Sequence, residues 1–210
     1  MGFARKDEVT IESVRSAYEH NGFKFYNEGP FDVNIFGIRS NERVSNKFDD
    51  LIGIIYQDDH LEWNLKKYNA TTDPGRTYLL SPLNKSGTAI LVPGQYKGSH
   101  MVGLHQGKYE ALRQKGNLKL YRDNNKDDIL DFNEDSTIEG NDFGINIHRA
   151  TAKDGLESVQ VDSWSAGCQV IAAKDDFEEF MKICRRARDL WGNSFTYTLF
   201  TEHTFFDINL

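Results

Sequence analysis

The chain has 210 residues, of which 39% are hydrophobic and 27% are charged, and its formal net charge is −7. This composition excludes an intrinsically disordered chain, and no apolar run approaches the roughly 20 residues that a membrane-spanning helix needs. Nucleic acid is a poor partner for an acidic chain, because Lys and Arg supply most of the affinity for phosphates. We therefore expect one folded domain, residues 1–210, that is monomeric and has neither a membrane span nor a nucleic-acid partner.

The first predicted element is an N-terminal helix. Apolar residues recur there at helical spacing, and Gly22 follows as a stop signal. We assign residues 1–30 to an N-terminal helical extension. The residues on its apolar face are Ile11, Val14, Ala17 and Tyr18.

Short strand-like runs dominate the middle of the chain. They are rich in β-branched and aromatic residues, and turn residues such as Pro74, Gly75 and Pro93 separate them. Neither a glycine-rich phosphate loop nor a βαβ alternation is present, which argues against a nucleotide-binding α/β fold. The predicted strands are 31–38, 51–56, 77–80, 88–92, 117–121, 144–148, 159–161, 168–172 and 194–201.

A long amphipathic helix is predicted over residues 175–191. Carboxylates at its start favour the helix dipole, and Gly192 follows as a stop. Cys184 lies on the apolar face, where we expect a core residue. Together these elements predict a mainly β fold, a sandwich or barrel of mixed strands, with an N-terminal helix and a C-terminal amphipathic helix.

The other cysteine, Cys168, lies in a different setting. Ala166 and Gly167 form a flexible turn that runs directly into an apolar strand, so the thiol lies at the mouth of that strand. Glycine keeps the backbone open for a substrate carbonyl, and we expect the N–H groups of Gly167 and Cys168 to face a developing oxyanion. Cys168 is therefore a candidate nucleophile, since two cysteines are too few for a disulfide scaffold.

A cysteine nucleophile needs a base, because its ordinary pKa near ~8.5 leaves only a few per cent thiolate at neutral pH. Among the histidines, His148 ends a predicted strand that presents Gly144 and Asn146 on the same face. We therefore assign His148 as the base. A backbone carbonyl or Asn146 is expected to orient its ring.

The spacing of these residues resembles a family motif. His148 is followed by sixteen residues and then by the tetrapeptide Ser-Ala-Gly-Cys that ends at Cys168, which resembles the signature of the L,D-transpeptidase catalytic domain. Two positions depart from the family pattern. Ala166 replaces a histidine, and Val170 replaces a polar residue. The resemblance covers residues 143–170.

The resemblance implies a peptidoglycan-active cysteine enzyme with an L,D-transpeptidase-like β fold. Cys168 would attack the carbonyl at an L-to-D bond of a stem peptide, and His148 would take the thiol proton. The thioester would then pass to water in an endopeptidase or carboxypeptidase, or to an amine in a transpeptidase. No organic cofactor is needed. Further residues assigned to catalysis are Ser165, Gly167 and Arg149, and those assigned to substrate contact are Trp164, His105, His100 and Asn146.

A second motif, residues 123–134, follows the predicted strand 117–121. Oxygen-bearing residues alternate there as in the EF-hand calcium loop, whose ligands fall at positions 1, 3, 5, 7, 9 and 12. The sixth position is Asp128 rather than glycine, and aspartate tolerates the left-handed conformation this position requires. No helix clearly follows, so we expect a structural Ca²⁺. The expected ligands are Asp123, Asn125, Asp127, the Ile129 carbonyl, Asp131 and Glu134.

Two other functions stay open. Ala166 and Val170 favour a non-catalytic, calcium-stabilised β module that binds glycan or protein in a phage particle or at a cell surface. A metal-dependent peptidase would use His100, His105 and His148. For the leading hypothesis, the lack of a signal peptide and of a wall-binding module favours a phage-encoded lysis enzyme, made in the cytoplasm and acting at the cell wall or periplasm.

Overall fold

The secondary structure is taken from a computed structural model, which describes residues 2–207 except the side chain of Glu134. The helices are Ile11–His20 (α1), Arg76–Leu80 (α2), Lys174–Trp191 (α3) and Glu202–Phe206 (α4), with single 3₁₀ turns at Lys6–Glu8 and Glu134–Ser136. The strands are Asn34–Arg39 (β1), Asp50–Gln57 (β2), Trp63–Thr71 (β3), Thr88–Leu91 (β4), Gly94–His105 (β5), Tyr109–Gln114 (β6), Leu118–Asp123 (β7), Ile138–Gly140 (β8), Ile147–Arg149 (β9), Gln169–Ile171 (β10) and Phe195–Thr201 (β11).

Most of these strands close into a barrel, in the order β1-β11-β5-β6-β9-β10-β3-β2. The pairs β1–β11 and β9–β10 are parallel, and the other barrel pairs are antiparallel. A separate antiparallel sheet contains β4, β7 and β8. The prediction of a mainly β fold with mixed strands is confirmed, in the form of a barrel rather than a sandwich.

The strands β1 and β2 are buried on both faces. In β1, Ile35 belongs to the main apolar core, whereas Phe36 belongs to a second apolar cluster. That cluster includes Val14 and Tyr18 of α1 and Phe205 of α4, so these helices cover the barrel from outside. Full burial of each large apolar side chain stabilises the fold by about 1.5–3 kcal/mol. The buried face of α1 is therefore made of apolar residues, and their helical spacing predicted the helix from the sequence.

Both predicted helices are confirmed. α1 begins after Thr10, whose side chain accepts a hydrogen bond from the Ser13 N–H and completes a capping box. α3 is followed by Gly192, which has a φ of 92°. Cys184 in α3 is fully buried in the main core, as expected. Within residues 2–207, no helix is both long and apolar enough to cross a bilayer.

The prediction of a strand at 77–80 is wrong, because this segment forms α2. The helix begins after Gly75, whose carbonyl accepts the Tyr78 N–H at 3.1 Å. Leu79 is then buried in an apolar cluster with Ile90 and Leu130. Packing thus overrides the strand preference of a short apolar run.

Two further groups of predictions differ from the structure. Residues 159–161 do not form a strand, and Gln160 makes an isolated bridge to Lys47. The strands β3, β5, β6 and β8 were not predicted. In β3 the alternating lysines and asparagines reduce the apolar signal, although its polar positions remain consistent with a half-exposed strand.

Candidate active site

The parallel pair β9–β10 brings the candidate nucleophile and base together. In its register His148 lies opposite Val170. Cys168 precedes Val170 by two residues, so its side chain lies on the same sheet face as that of His148. The Gln169 N–H donates to the Asn146 carbonyl at 2.9 Å, which extends the pairing to the residues before both strands.

Ser165 closes the turn before β10. Its Oγ donates to the Cys168 carbonyl at 2.8 Å and accepts the Gly167 N–H at 3.1 Å, and its carbonyl accepts the Gly75 N–H at 2.9 Å. Gly167 has a φ of +123°, and a Cβ there would lie 2.5 Å from the Ala89 carbonyl oxygen. Ser165 and Gly167 therefore hold the shape of the turn that presents Cys168.

The two backbone donors expected at an oxyanion differ in availability. The Gly167 N–H donates to Ser165 Oγ, so it is not free to meet a developing negative charge. The Cys168 N–H makes no hydrogen bond with any residue in 2–207. Of the two, it is the donor that remains for this role.

The Cys168 thiol is only partly exposed. Its Sγ accepts the Asn146 N–H at 3.4 Å and donates to the Gly144 carbonyl, also at 3.4 Å. Burial raises the pKa of Cys168 to about 11. At neutral pH the group is therefore a thiol rather than a thiolate.

The His148 ring is buried and fixed in one tautomer. Its Nδ1 lies 2.9 Å from the Arg149 carbonyl oxygen, and since a carbonyl only accepts, Nδ1 carries the proton and Nε2 the lone pair. The His105 ring stacks on it, with 4.3 Å between centroids and 24° between planes. Burial, with the charge of His105 as the next cause, lowers the pKa of His148 to about 4. A backbone carbonyl thus orients the ring, and His148 is a neutral acceptor at pH 7.

Proton transfer between these two groups requires a rearrangement. Within residues 2–207, no hydrogen bond joins Cys168 Sγ to His148. Catalytic hydrogen bonds are often long without substrate and tighten in the complex. The side chains have the right chemistry and lie on the same sheet face.

One cleft of about 570 Å³ is lined by five of the nine residues that were assigned to catalysis or substrate contact. Its Arg149 guanidinium lies 4.2 Å from the centre of the Tyr109 ring and donates to the Thr151 carbonyl at 2.7 Å. Trp164 is 44% exposed. The predicted residues that line the cleft are Cys168, His148, Arg149, His105 and Trp164. The lining residues that were not assigned a role are Tyr78, Leu83, Gln106, Lys108, Tyr109, Ala150, Ala152, Ser163 and Ala166.

Among residues 2–207, Asn146 is not one of those that line this cleft. Its side chain accepts the Gln114 N–H at 2.9 Å and donates to His105 Nδ1 at 3.2 Å. Asn146 therefore positions His105, which in turn stacks on His148.

His100, which we expected to contact substrate, is also not among the residues within 2–207 that line the cleft. It is fully buried, with Nδ1 2.8 Å from Ser99 Oγ and Nε2 3.1 Å from the Ile145 carbonyl oxygen. Both ring nitrogens are therefore engaged, and burial lowers the pKa of His100 to about 4. A peptidase metal held by His100, His105 and His148 does not fit this arrangement.

A buried polar network behind the cysteine turn was missed in the sequence. Gln169 donates to the Thr72 carbonyl at 3.1 Å and accepts from the Tyr197 hydroxyl at 2.9 Å. The sequence signal for this network is a glutamine inside an apolar run. A buried polar side chain needs hydrogen-bond partners, so such a glutamine indicates other polar groups nearby. The charged members of the network are Arg39, Asp50 and Asp73.

The loop predicted to bind calcium departs from the EF-hand pattern in its backbone. The left-handed residue is Lys126, with a φ of 65°, and not Asp128. The Asp128 carbonyl accepts the Ser45 N–H at 2.9 Å. The side chain of Glu134 lies outside the described residues. Among those described, no three His, Cys, Asp or Glu side chains form a ready metal-binding group.

Comparisons with models of protein families, with curated proteins and with solved structures gave no match. The resemblance to L,D-transpeptidases therefore rests on the motif residues themselves.

Proposed function

We propose that the protein is a cysteine-dependent enzyme that acts on L-to-D bonds of peptidoglycan stem peptides. The main support is the shared cleft of Cys168 and His148, which the β9–β10 register places on one sheet face. The His148 tautomer adds to it, because the Nε2 lone pair is the atom that a thiol proton needs. The motif spacing supplies the substrate class.

The proposed reaction begins with attack of Cys168 Sγ on the scissile carbonyl carbon. His148 Nε2 takes the thiol proton as the S–C bond forms, and the Cys168 N–H donates to the oxyanion. Collapse breaks the C–N bond, and His148 returns its proton to the leaving amine. The resulting thioester is then attacked by water or by an amine, the thiol leaves, and its proton is restored through His148.

The resting pair in this reaction is neutral. The pKa of Cys168 is raised to about 11 and that of His148 is lowered to about 4, in both cases above all by burial. A thiolate–imidazolium pair would need these two values in the opposite order. Proton transfer and attack are therefore concerted in our account, and the substrate must close the gap between Sγ and Nε2.

The cleft also carries groups that suit an acidic peptide. Arg149 makes no ion pair with any described carboxylate, and it is fixed by Tyr109 and by the Thr151 carbonyl. Lys108 lies in the same cleft. Arginine binds carboxylates through two parallel hydrogen bonds, so Arg149 is the group that we assign to a stem-peptide carboxylate, in place of the polar residue that Val170 replaces.

The test is product mapping on purified peptidoglycan and on a stem tetrapeptide. Wild-type protein is expected to release fragments that have gained one water, or to form new amide cross-links. Cys168→Ala should abolish both, and His148→Ala should reduce the rate by about 10²–10⁴-fold. Cys184→Ala is the matched control, since Cys184 is buried in α3. Turnover that persists in Cys168→Ala would contradict the proposal.

A second candidate is the calcium-stabilised module that binds glycan or protein without turnover. The raised pKa of Cys168 and the lack of a described hydrogen bond from Sγ to His148 favour it. It predicts that wild type and Cys168→Ala bind peptidoglycan equally well and leave it unchanged.

A further inference from the structure

A second polar cluster lies away from the cleft, where β7 ends. The Asn125 amide donates to Asp127 Oδ2 at 3.0 Å and to Asp131 Oδ2 at 2.8 Å. The Asp131 N–H donates to Asp123 Oδ2 at 3.0 Å. The neutral Asn125 amide is therefore the donor between the carboxylates of Asp127 and Asp131, and the Asp123 carboxylate is bonded to the backbone of Asp131.

Within the part of the chain that the structure describes, one oxygen of the Asp123 carboxylate is buried without a hydrogen-bond donor or a cation to offset its lost hydration. Asp123 is 1% exposed, and its Oδ1 is buried without a hydrogen-bond partner among the described residues. A carboxylate oxygen withdrawn from water is costly unless a donor or a cation faces it. Arg43 is 3.3 Å from Asp131 Oδ1, so that guanidinium is paired with another carboxylate.

The backbone at Ile129 supplies a further oxygen. The Asp128 carbonyl and the Leu130 N–H pair with residues 43–45, as in an antiparallel bridge. The Ile129 N–H is on the other side and donates to Asp127 Oδ1 at 2.8 Å. In such a bridge the carbonyl of a residue lies on the same side as its N–H. Within residues 2–207, no hydrogen bond uses the Ile129 carbonyl.

From these contacts we infer that the loop binds one Ca²⁺ ion. The oxygens of Asp123, Asn125, Asp127 and Asp131 and the Ile129 carbonyl would hold it, with water in the remaining positions. Ca²⁺ takes six to eight oxygen ligands in flexible geometry, whereas Mg²⁺ demands a near-ideal octahedron. Rotation of the Asn125 amide replaces its two N–H bonds by an oxygen ligand, and the cation compensates the buried Asp123 oxygen.

Calcium at this loop would stabilise one wall of the cleft. Leu130 is buried in the cluster that contains Leu79 of α2, and Arg76 at the start of α2 lies 3.6 Å from Asp128. The neighbouring Tyr78 lines the cleft. Binding to the folded chain alone raises its melting temperature by mass action.

Calcium titration of the chelator-treated full chain tests this inference. Calorimetry should give one Ca²⁺ per chain, and the melting temperature should rise with calcium concentration. Asp127→Ala removes an exposed ligand, and it should raise the Kd at least tenfold. Asp142→Asn, an exposed carboxylate outside the loop, is the control and should bind like wild type.

Two results would overturn the inference. One is the absence of both binding heat and a melting shift up to about 10 mM Ca²⁺, a concentration above the range of weak extracellular sites. The other is equal affinity in wild type and Asp127→Ala, which would mark the binding as unspecific. Neither result bears on Cys168, because the titration does not measure turnover.

Discussion

At the residue scale, Gly167 explains why the cysteine turn has its composition. The sequence indicated a glycine that keeps the backbone open, and the structure adds a steric reason. Its φ is +123°, and the Ala89 carbonyl oxygen occupies the space next to its Cα. A side chain there would be strained by the backbone and would push the turn away from β4, so the position of Cys168 depends on this glycine.

Gly167→Ala should therefore destabilise the fold and displace the thiol. The left-handed backbone alone costs about 1–3 kcal/mol, and the contact with Ala89 adds to it. Gly155→Ala is the matched control, because Gly155 also has a positive φ, 67°, but nothing lies within 4 Å of an added Cβ. Chemical denaturation should give a larger loss for Gly167→Ala, by more than about 1 kcal/mol. Equal losses would mean that the turn can relax.

Some features of the candidate site at the residue scale could not be predicted from the sequence. The motif identified Cys168 and His148 from type and spacing. It did not predict the stacking of His105 on His148, because that contact joins β5 to β9, which lie on either side of β6 in the barrel. The pKa values of both groups depend on burial, and burial follows from long-range packing.

At the element scale, periodicity succeeded where an element carries its own apolar pattern. α1 and α3 have clear apolar faces and stop signals, so both were predicted. The segment 77–80 is too short for a period to be read, and its helix depends on the burial of Leu79 against the three-stranded sheet. Strands with mixed faces, such as β3, were missed for another reason, because their polar residues weaken the apolar pattern.

The buried charges between β1, β2 and the segment after β3 are another element-scale feature. Arg39 Nε is 2.8 Å from Asp73 Oδ1, and Asp50 accepts from the Thr72 N–H and hydroxyl. The guanidinium is therefore ion-paired with Asp73, whereas Asp50 is held by hydrogen bonds from Thr72 and from the Ser40 N–H. Burial raises the pKa of Asp73, Arg39 opposes the shift, and Asp50 adds to it.

This arrangement predicts a pH dependence of stability. Because the pKa of Asp73 is raised in the folded state, the folded chain binds more protons than the unfolded chain. The free energy of unfolding should therefore fall as the pH rises from about 4, the ordinary carboxyl value, towards neutrality. In Asp73→Asn this fall should be smaller, because the variant lacks the carboxyl whose pKa is raised in the folded state. Denaturation curves with the same pH slope in both proteins would contradict the assignment.

At the scale of the whole molecule, the barrel determines where the site can form. The parallel pair β1–β11 joins the first and the last strand of the chain, and the pair β9–β10 joins two strands across the long loop 150–168. Local patterns predict strands but not these partners, so the class of fold could be predicted and the closed order could not. The cleft exists because β9 and β10 are neighbours and α2 lies beside their loops.

The most direct test of the account is intact-mass spectrometry of the protein mixed with a stem tetrapeptide and quenched in acid. We expect a covalent adduct with the mass of the acyl part of the peptide, mapped to Cys168 by digestion and absent in Cys168→Ala. Cys184→Ala should retain the adduct. An unmodified wild-type protein with intact peptide, in a sample whose Cys168 accepts a small alkylating agent at high pH, would contradict a thioester mechanism.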